Sequence, residues 1–196
     1  MKKYARTEGT PMQRRSFLML AGGLAAAACS PVPAPPRMGA DGKPLPRVYR
    51  ITPADAARIE YRVLDSVNAL REAAGAPPLK LNSRLNAAAE THSRDMSVQN
   101  RPWHFGSDGS SAIDRLERVG YRGRFVGENV SESYETELAT LSAWMEDPVT
   151  RPVILDPNAR ELGFAWYQEP NGKIWWTMVT GTPEGATLGG DDATGA

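Results

Sequence analysis

The stretch LGFAWYQEPNGKIWWTMVT, Leu162 to Thr180, decides the fold. Two runs rich in aromatic and apolar residues flank Pro170-Asn171-Gly172. Asn-Gly between two such runs is a hairpin signal, because a tight turn needs positive φ, which asparagine and glycine accept. The reading predicts antiparallel strands over Leu162–Gln168 and Lys173–Thr180, with a third strand at Phe125–Ser131. Upstream the period changes from two to 3.6. Thr52-Pro53 supplies an N-cap and a first-turn proline, and Asp55 suits the positive end of a helix. Ile59, Val63, Val67 and Leu70 recur at helical spacing until Gly75. A second helix is expected from Asn82 or Ser83 to about Asn100, with Leu81, Leu85, Ala88, His92 and Met96 on its apolar face. A short helix, Ala112–Val119, stops at Gly120. A fourth runs from about Tyr134 to Glu146 and aligns Leu138, Leu141 and Met145. Helices first, then an antiparallel sheet with an interposed helix, indicate an α+β domain.

The chain has 196 residues, about one domain. It divides into four parts: a signal segment over 1–28, a proline-rich tether over 29–48, the folded domain over 49–183 and an aperiodic tail over 184–196. Arg14-Arg15 leads into an apolar run, Phe17–Ala28, of 12 residues. That length suits a signal-peptide core and is too short to span a bilayer. The twin arginines point to the Tat route. The run ends Ala26-Ala27-Ala28-Cys29-Ser30, which resembles a lipoprotein cleavage box with Cys29 as the lipidated residue. Cys29 is the only cysteine, so an intramolecular disulfide is excluded. PVPAPP and the prolines after it favour extended polyproline II, as expected of a tether. Residues 29–196 carry 18 basic and 22 acidic side chains. A mildly acidic domain gives no electrostatic case for nucleic acid. The expected location is the bacterial cell envelope, lipid-anchored and extracytoplasmic, either periplasmic or at the outer membrane.

The two histidines, His92 and His104, differ in setting. His92 lies on the apolar stripe of the second helix and reads as a core histidine. His104 follows Arg101-Pro102-Trp103, where helix is disfavoured before proline, and precedes the turn-rich Gly106-Ser107-Asp108-Gly109. A loop imidazole between Trp103 and Phe105 is the better candidate for a cleft. Glu128, in Val126-Gly127-Glu128-Asn129-Val130, shares strand parity with Val126 and Val130. If that face is apolar, its carboxylate needs a partner or a cleft. Pairing with His104 would supply one, and an ion pair with Arg115 or Arg151 is the structural alternative.

Taken in order, AAETHSRDM, WHFGSDG, Arg115, GYRGRFVGENV, SAWMEDPVTRPVIL, ELGFAWYQ and KIWWTMV are similar to the CAP superfamily of cysteine-rich secretory proteins, antigen 5, pathogenesis-related 1 and bacterial SCP-like domains. The resemblance covers about Leu64–Val179. It implies an α–β–α sandwich with a small central antiparallel sheet, and a cleft that often holds two histidines and two glutamates able to bind a divalent cation. His104 fits the first histidine and Glu128 the Gly-Glu-Asn glutamate. The second glutamate is replaced by Asp147, and Thr150 stands in place of the second histidine. The resemblance therefore implies a cleft of His104, Glu128, Asp147 and Thr150, with weak zinc binding at most.

Zinc sites usually need three or four N, S or O ligands. His104 and Glu128 are the metal and catalytic candidates, and Asp147 would be a third ligand. No Gly-x-Ser-x-Gly is present, and Ser107, Ser110 and Ser111 near His104 are weak evidence of a nucleophile. The first expectation is a non-enzymatic binding module whose partner is a lipid, a cell-wall component or a protein. The alternatives are a metal-assisted, peptidase-like hydrolase using His104 and Glu128, and an envelope-interaction protein with a vestigial cleft.

Overall fold

The computed structural model describes residues 48–186. The expected signal segment, Cys29, the tether up to residue 47 and the tail from residue 187 lie outside the described residues. The elements are α1 (Pro53–Ala73), β1 (Lys80–Leu81), α2 (Ser83–Gln99), α3 (Ala112–Arg118), β2 (Arg124–Ser133), α4 (Glu137–Glu146), α5 (Arg151–Leu155), β3 (Glu161–Gln168) and β4 (Ile174–Thr182).

Local chemistry sets most helix ends. Thr52 and Asp55 close a capping box on α1, and Ser111 and Asp114 close another on α3. The Asn82 side chain accepts from the amides of Arg84 and Leu85 at the start of α2. Asn100, at φ +50°, ends it in the left-handed region that asparagine tolerates. α4 starts at Glu137 rather than Tyr134, because Thr136 takes the N-cap and accepts the Ala139 amide.

The strand order is β1-β3-β4-β2. β3 and β2 both pair antiparallel with β4, and β1 adds a two-residue parallel edge beside β3. The hairpin forms where the sequence places it, but by a longer turn. Gly172 donates its amide to the Glu169 carbonyl, and Glu169 donates to Lys173. Proline fixes φ near −65°, so Pro170-Asn171 makes the turn and Gly172, at φ +101°, the positive-φ position that closes the three-residue loop.

Helices cover both sheet faces. On one, Ile59, Val63 and Val67 of α1 meet Leu141 and Trp144 of α4, Ile154 of α5 and Phe164 and Trp176 of the sheet. On the other, Leu85, Ala88 and Ala89 of α2 and Leu116 of α3 pack with Ala165 and Val179. This is an α–β–α sandwich. β4 is buried along its whole length, so Trp175 and Trp176 are both core residues although they point to opposite faces.

Two contacts fix the helices. Arg71, fully buried near the end of α1, donates to the carbonyls of Pro77 (2.7 Å), Ile154 (2.7 Å) and Ala159 (3.1 Å). It joins α1 to α5 and to the turn before β3. A Cβ on Gly163 of β3 would overlap the α2 backbone at Leu85 and Asn86. The missing side chain is what lets helix and strand approach, and Asn86 Oδ1 then accepts the Phe164 amide at 3.0 Å.

Candidate functional site

An irregularity in β2 decides where Glu128 points. Phe125 pairs with Gly181 and Gly127 with Thr180, so Val126 is an extra residue in the strand. Such a bulge reverses the parity of the residues after it. Val126 joins the core under α1, α4 and α5, whereas Glu128, opposite Val179, faces α2 and α3. The expected shared parity with Val126 is therefore corrected, while parity with Val130 stands.

Glu128 lies in a cluster of four titratable or charged groups, three of them buried. Its Oε1 is 3.0 Å from His104 Nδ1 and 3.8 Å from His92 Nε2. Its Oε2 accepts from Arg115 Nη2 at 2.6 Å. Glu128 is 7% exposed and Arg115 5%, whereas the His104 side chain is 58% exposed. Burial pushes the Glu128 carboxyl up, but the His104 hydrogen bond and the Arg115 guanidinium outweigh it and hold the group below the usual range. The ionised carboxylate is an acceptor, so His104 presents Nδ1–H to it and keeps Nε2 free for the cleft. His104 and Arg115, the two sequence-level candidates for pairing with Glu128, both occupy it, and Arg151 instead donates to the Met145 and Glu146 carbonyls.

The loop that carries His104 is fastened at several points. Arg115 Nη1 donates to the carbonyls of His104 (3.1 Å) and Ser110 (3.2 Å). Asp95 Oδ2 accepts the Ser107 amide at 2.7 Å, and Gln99 donates to the Phe105 carbonyl at 3.1 Å. His92 is completely buried, and its Nε2 lies 2.8 Å from the Trp103 carbonyl. A carbonyl only accepts, so that nitrogen carries the proton. Burial keeps His92 below the usual imidazole range against the pull of Glu128, and the ring is neutral. Its Nδ1 is buried without a hydrogen-bond partner.

Above the His104–Glu128 pair is an open cleft of about 330 Å³, walled by Phe105, Ile113 and Phe125. Phe105 and Ile113 are exposed large apolar side chains on its rim. The sequence reading missed Ile113 and Phe125 as cleft residues. An apolar residue on the solvent side of the short α3 is the signal that could have found Ile113.

The other two residues expected in the cleft are engaged elsewhere. Asp147 is the exposed C-cap of α4, and its Oδ1 accepts the Val149 amide at 2.7 Å. Thr150 donates its hydroxyl to the Trp144 carbonyl at 2.7 Å, and its own carbonyl accepts from Asn129 at 3.0 Å. Among the described residues no group of three or more His, Cys, Asp or Glu side chains is placed to hold a metal ion. Both Glu128 oxygens are engaged, one of them by a guanidinium that repels a cation. These residues do not fit a resident zinc ion.

The sequence of residues 64–180 matches the family model described as CAP, cysteine-rich secretory protein family. The uncharacterized protein YkwD of Bacillus subtilis (strain 168) is 28% identical over 129 residues, which cover 66% of this chain and 49% of that protein. The chain thus spans about half the length of the curated relative it matches. Among solved structures, an extracellular protein containing a SCP domain from Bacillus anthracis str. Ames superposes with a TM-score of 0.60 at 22% identity, covering 68% of this chain and 45% of that one. An outer surface protein from Borrelia burgdorferi gives 0.58 at 12% identity, covering 66% and 96%. At these identities the structural likeness speaks for the fold. With the sequence match running from the middle of α1 into β4, through the strand that carries Glu128 and the loop that carries His104, this chain belongs to the CAP family.

Proposed function

We propose that the chain is an extracytoplasmic CAP module, anchored to the bacterial envelope by a lipid on Cys29, that binds a ligand or partner in the His104/Glu128 cleft without turning it over. The observation that carries the binding reading is the engagement of Glu128 by His104 and Arg115. A carboxylate held in this way orients an imidazole but is not free to act as a general base or a metal ligand. The apolar rim of Phe105, Ile113 and Phe125 over one polar pair has the composition of a binding pocket. Zinc calorimetry is expected to show no heat that depends on Glu128. Turnover of peptides or cell-wall fragments that His104→Ala abolishes would overturn the reading.

One observation favours the hydrolase alternative in a metal-free form. A buried carboxylate holding an imidazole with its far nitrogen exposed is also how a general base is oriented. A nucleophile is what that reading lacks, and the same His104→Ala assay decides between the two.

The envelope location rests on the twin-arginine segment and Cys29, and on the extracellular and outer-surface descriptions of the two structural neighbours. Among the described residues no helix is long and apolar enough to cross a membrane. Expressed in full, the chain should label with a fatty-acid probe and sediment with membranes, and Cys29→Ala should release it. A wild-type chain that stays in the soluble fraction unlabelled would remove the anchor.

A further inference from the structure

The β3–β4 hairpin settles which main-chain groups of β2 are free. The Glu169 amide donates to Lys173, so these two residues form a hydrogen-bonded pair. Bonded and non-bonded pairs alternate along an antiparallel ladder. Trp175, Thr177 and Val179 of β4 therefore bond to β3, and Trp176, Met178 and Thr180 bond to Ser131, Asn129 and Gly127 of β2. The amides and carbonyls of Glu128, Val130 and Glu132 point the other way. Among the described residues β2 is the last strand of the sheet, and no main-chain group from elsewhere meets them. Glu128 is 7% exposed, and main-chain groups at so buried a position are rarely left unpaired. The next outward carbonyl, Tyr134, accepts the Tyr49 amide at 3.1 Å, so the chain itself caps this edge at one end. Edges are commonly blunted by lysine, proline or a bulge. Here the bulge at Val126 comes before the free stretch, and Gly127 to Ser133 pair with β4 without interruption. A row of alternating donors and acceptors calls for an extended backbone. It abuts the His104 cleft, which Gly127 and Glu128 also line. In a strand added antiparallel, the side chain opposite Glu128 lies on the α2–α3 face, beside Phe105, Ile113 and Phe125. The residue four positions earlier lies opposite Glu132, whose carboxylate is 42% exposed and 3.7 Å from Lys173, and a basic side chain suits it. A second copy is a poor fit, because pairing about Val130 sets Glu128 of each chain against Glu132 of the other.

We propose that the free edge of β2 from Glu128 to Glu132 receives an extended segment of a partner protein as an added antiparallel strand. A basic residue of that segment meets Glu132, and an apolar residue four positions later enters the His104 cleft. The proposal rests on the reading of that cleft as a binding site and names what it binds.

The test uses the full chain in detergent, labelled with nitrogen-15, and the peptide acetyl-Ser-Lys-Thr-Val-Thr-Leu-Ser-amide, whose Lys, Val and Leu align with Glu132, Val130 and Glu128. In the free chain the amides of Glu128, Val130 and Glu132 should exchange faster than those of Asn129 and Ser131, and the peptide should slow them. N-methylation at the peptide's Lys, Val and Leu removes the amides that face β2 and should weaken binding at least about tenfold, whereas N-methylation at its two Thr residues, whose amides face solvent, should not. Ile113→Ser trims an exposed wall of the cleft and should weaken the unmodified peptide at least about threefold. Two methylated peptides that bind alike overturn the added strand and leave the cleft reading standing. Discrimination between them with no effect of Ile113→Ser keeps the strand and overturns the cleft contact. No binding of the unmodified peptide overturns the proposal. So does protection of the Val130 amide in the free chain, whether it vanishes on dilution, as for a second copy, or persists, as for a segment outside residues 48–186.

Discussion

At the scale of single residues, the energetics of the cleft turn on Arg115. Among the described residues its guanidinium is the one arginine or lysine group held against a carboxylate that is 7% exposed, and the same group fastens the His104 loop through two carbonyls. Removing one partner of a buried pair leaves an uncompensated charge in a low-dielectric site, at a cost of about 3–5 kcal/mol. Arg115→Met should therefore lower unfolding free energy in urea by about that amount. Glu128→Gln in the same background should recover part of the loss, because it removes the orphaned charge. A single Arg115→Met variant as stable as wild type would mean that the pair is not the main support of the loop. The sequence made part of this legible. A glutamate among valines on a strand signals a carboxylate that needs a partner, and His104 and Arg115 were both candidates. The bulge at Val126 was not legible, because a single extra residue leaves no periodic trace. Asp147 and Thr150 show the same limit from the other side. The resemblance to the family pattern places them in the cleft, but their side chains bond the Val149 amide and the Trp144 carbonyl.

At the scale of elements, legibility follows length and capping. α2 is readable almost to the residue because Asn82 and Asn100 mark both ends and Leu85, Ala88, His92 and Met96 repeat at helical spacing between them. β1 has two residues and no period. α5, RPVIL, is rich in β-branched residues and proline and carries little intrinsic helical preference. It forms where Pro152 can occupy the first turn and Ile154 can be buried, with the Ile154 carbonyl accepting from Arg71. Close packing of α2 on β3 makes a sharper claim. In Gly163→Ala the new methyl meets the α2 backbone at Leu85 and Asn86, neither of which can swing aside as a side chain can. Overpacking of this kind typically costs about 1–3 kcal/mol, and a backbone obstacle places the expectation at the upper end. Denaturant unfolding measures it directly. Hydrogen exchange should quicken at the Phe164 amide, whose acceptor Asn86 is displaced with the helix. An unchanged Phe164 amide would mean that α2 and β3 are not held at this contact.

At the scale of the whole molecule, the buried cluster couples the fold to acidity. His92 titrates below its ordinary value of 6.5 because burial disfavours its charged form. The unfolded chain therefore takes up this proton before the folded one does, and stability falls as pH drops below about 6.5. Glu128 is also held below its ordinary value of 4.5, by His104 and Arg115 against the effect of burial. Its contribution is complete above that value and is lost as pH falls through the lower, folded one. Asp95, lowered by the Ser107 and Gln99 hydrogen bonds against burial, acts in the same direction. The contributions share one sign and act in sequence, His92 first and the carboxylates after it. Urea unfolding between pH 7.5 and 4 should show stability declining continuously, with the upper part of the decline belonging to His92. His92→Gln can still donate to the Trp103 carbonyl but does not titrate, so it should flatten the slope between about pH 6.5 and 5 and leave the lower part intact. If the slope above pH 5 persists in that variant, the acid sensitivity does not originate at His92. Because both histidine contacts and the Asp95 contact end on the segment from Trp103 to Ser107 or on Glu128 beneath it, acidification should loosen the His104 loop before the sheet. Amide exchange in that segment would then rise at a higher pH than exchange in β4.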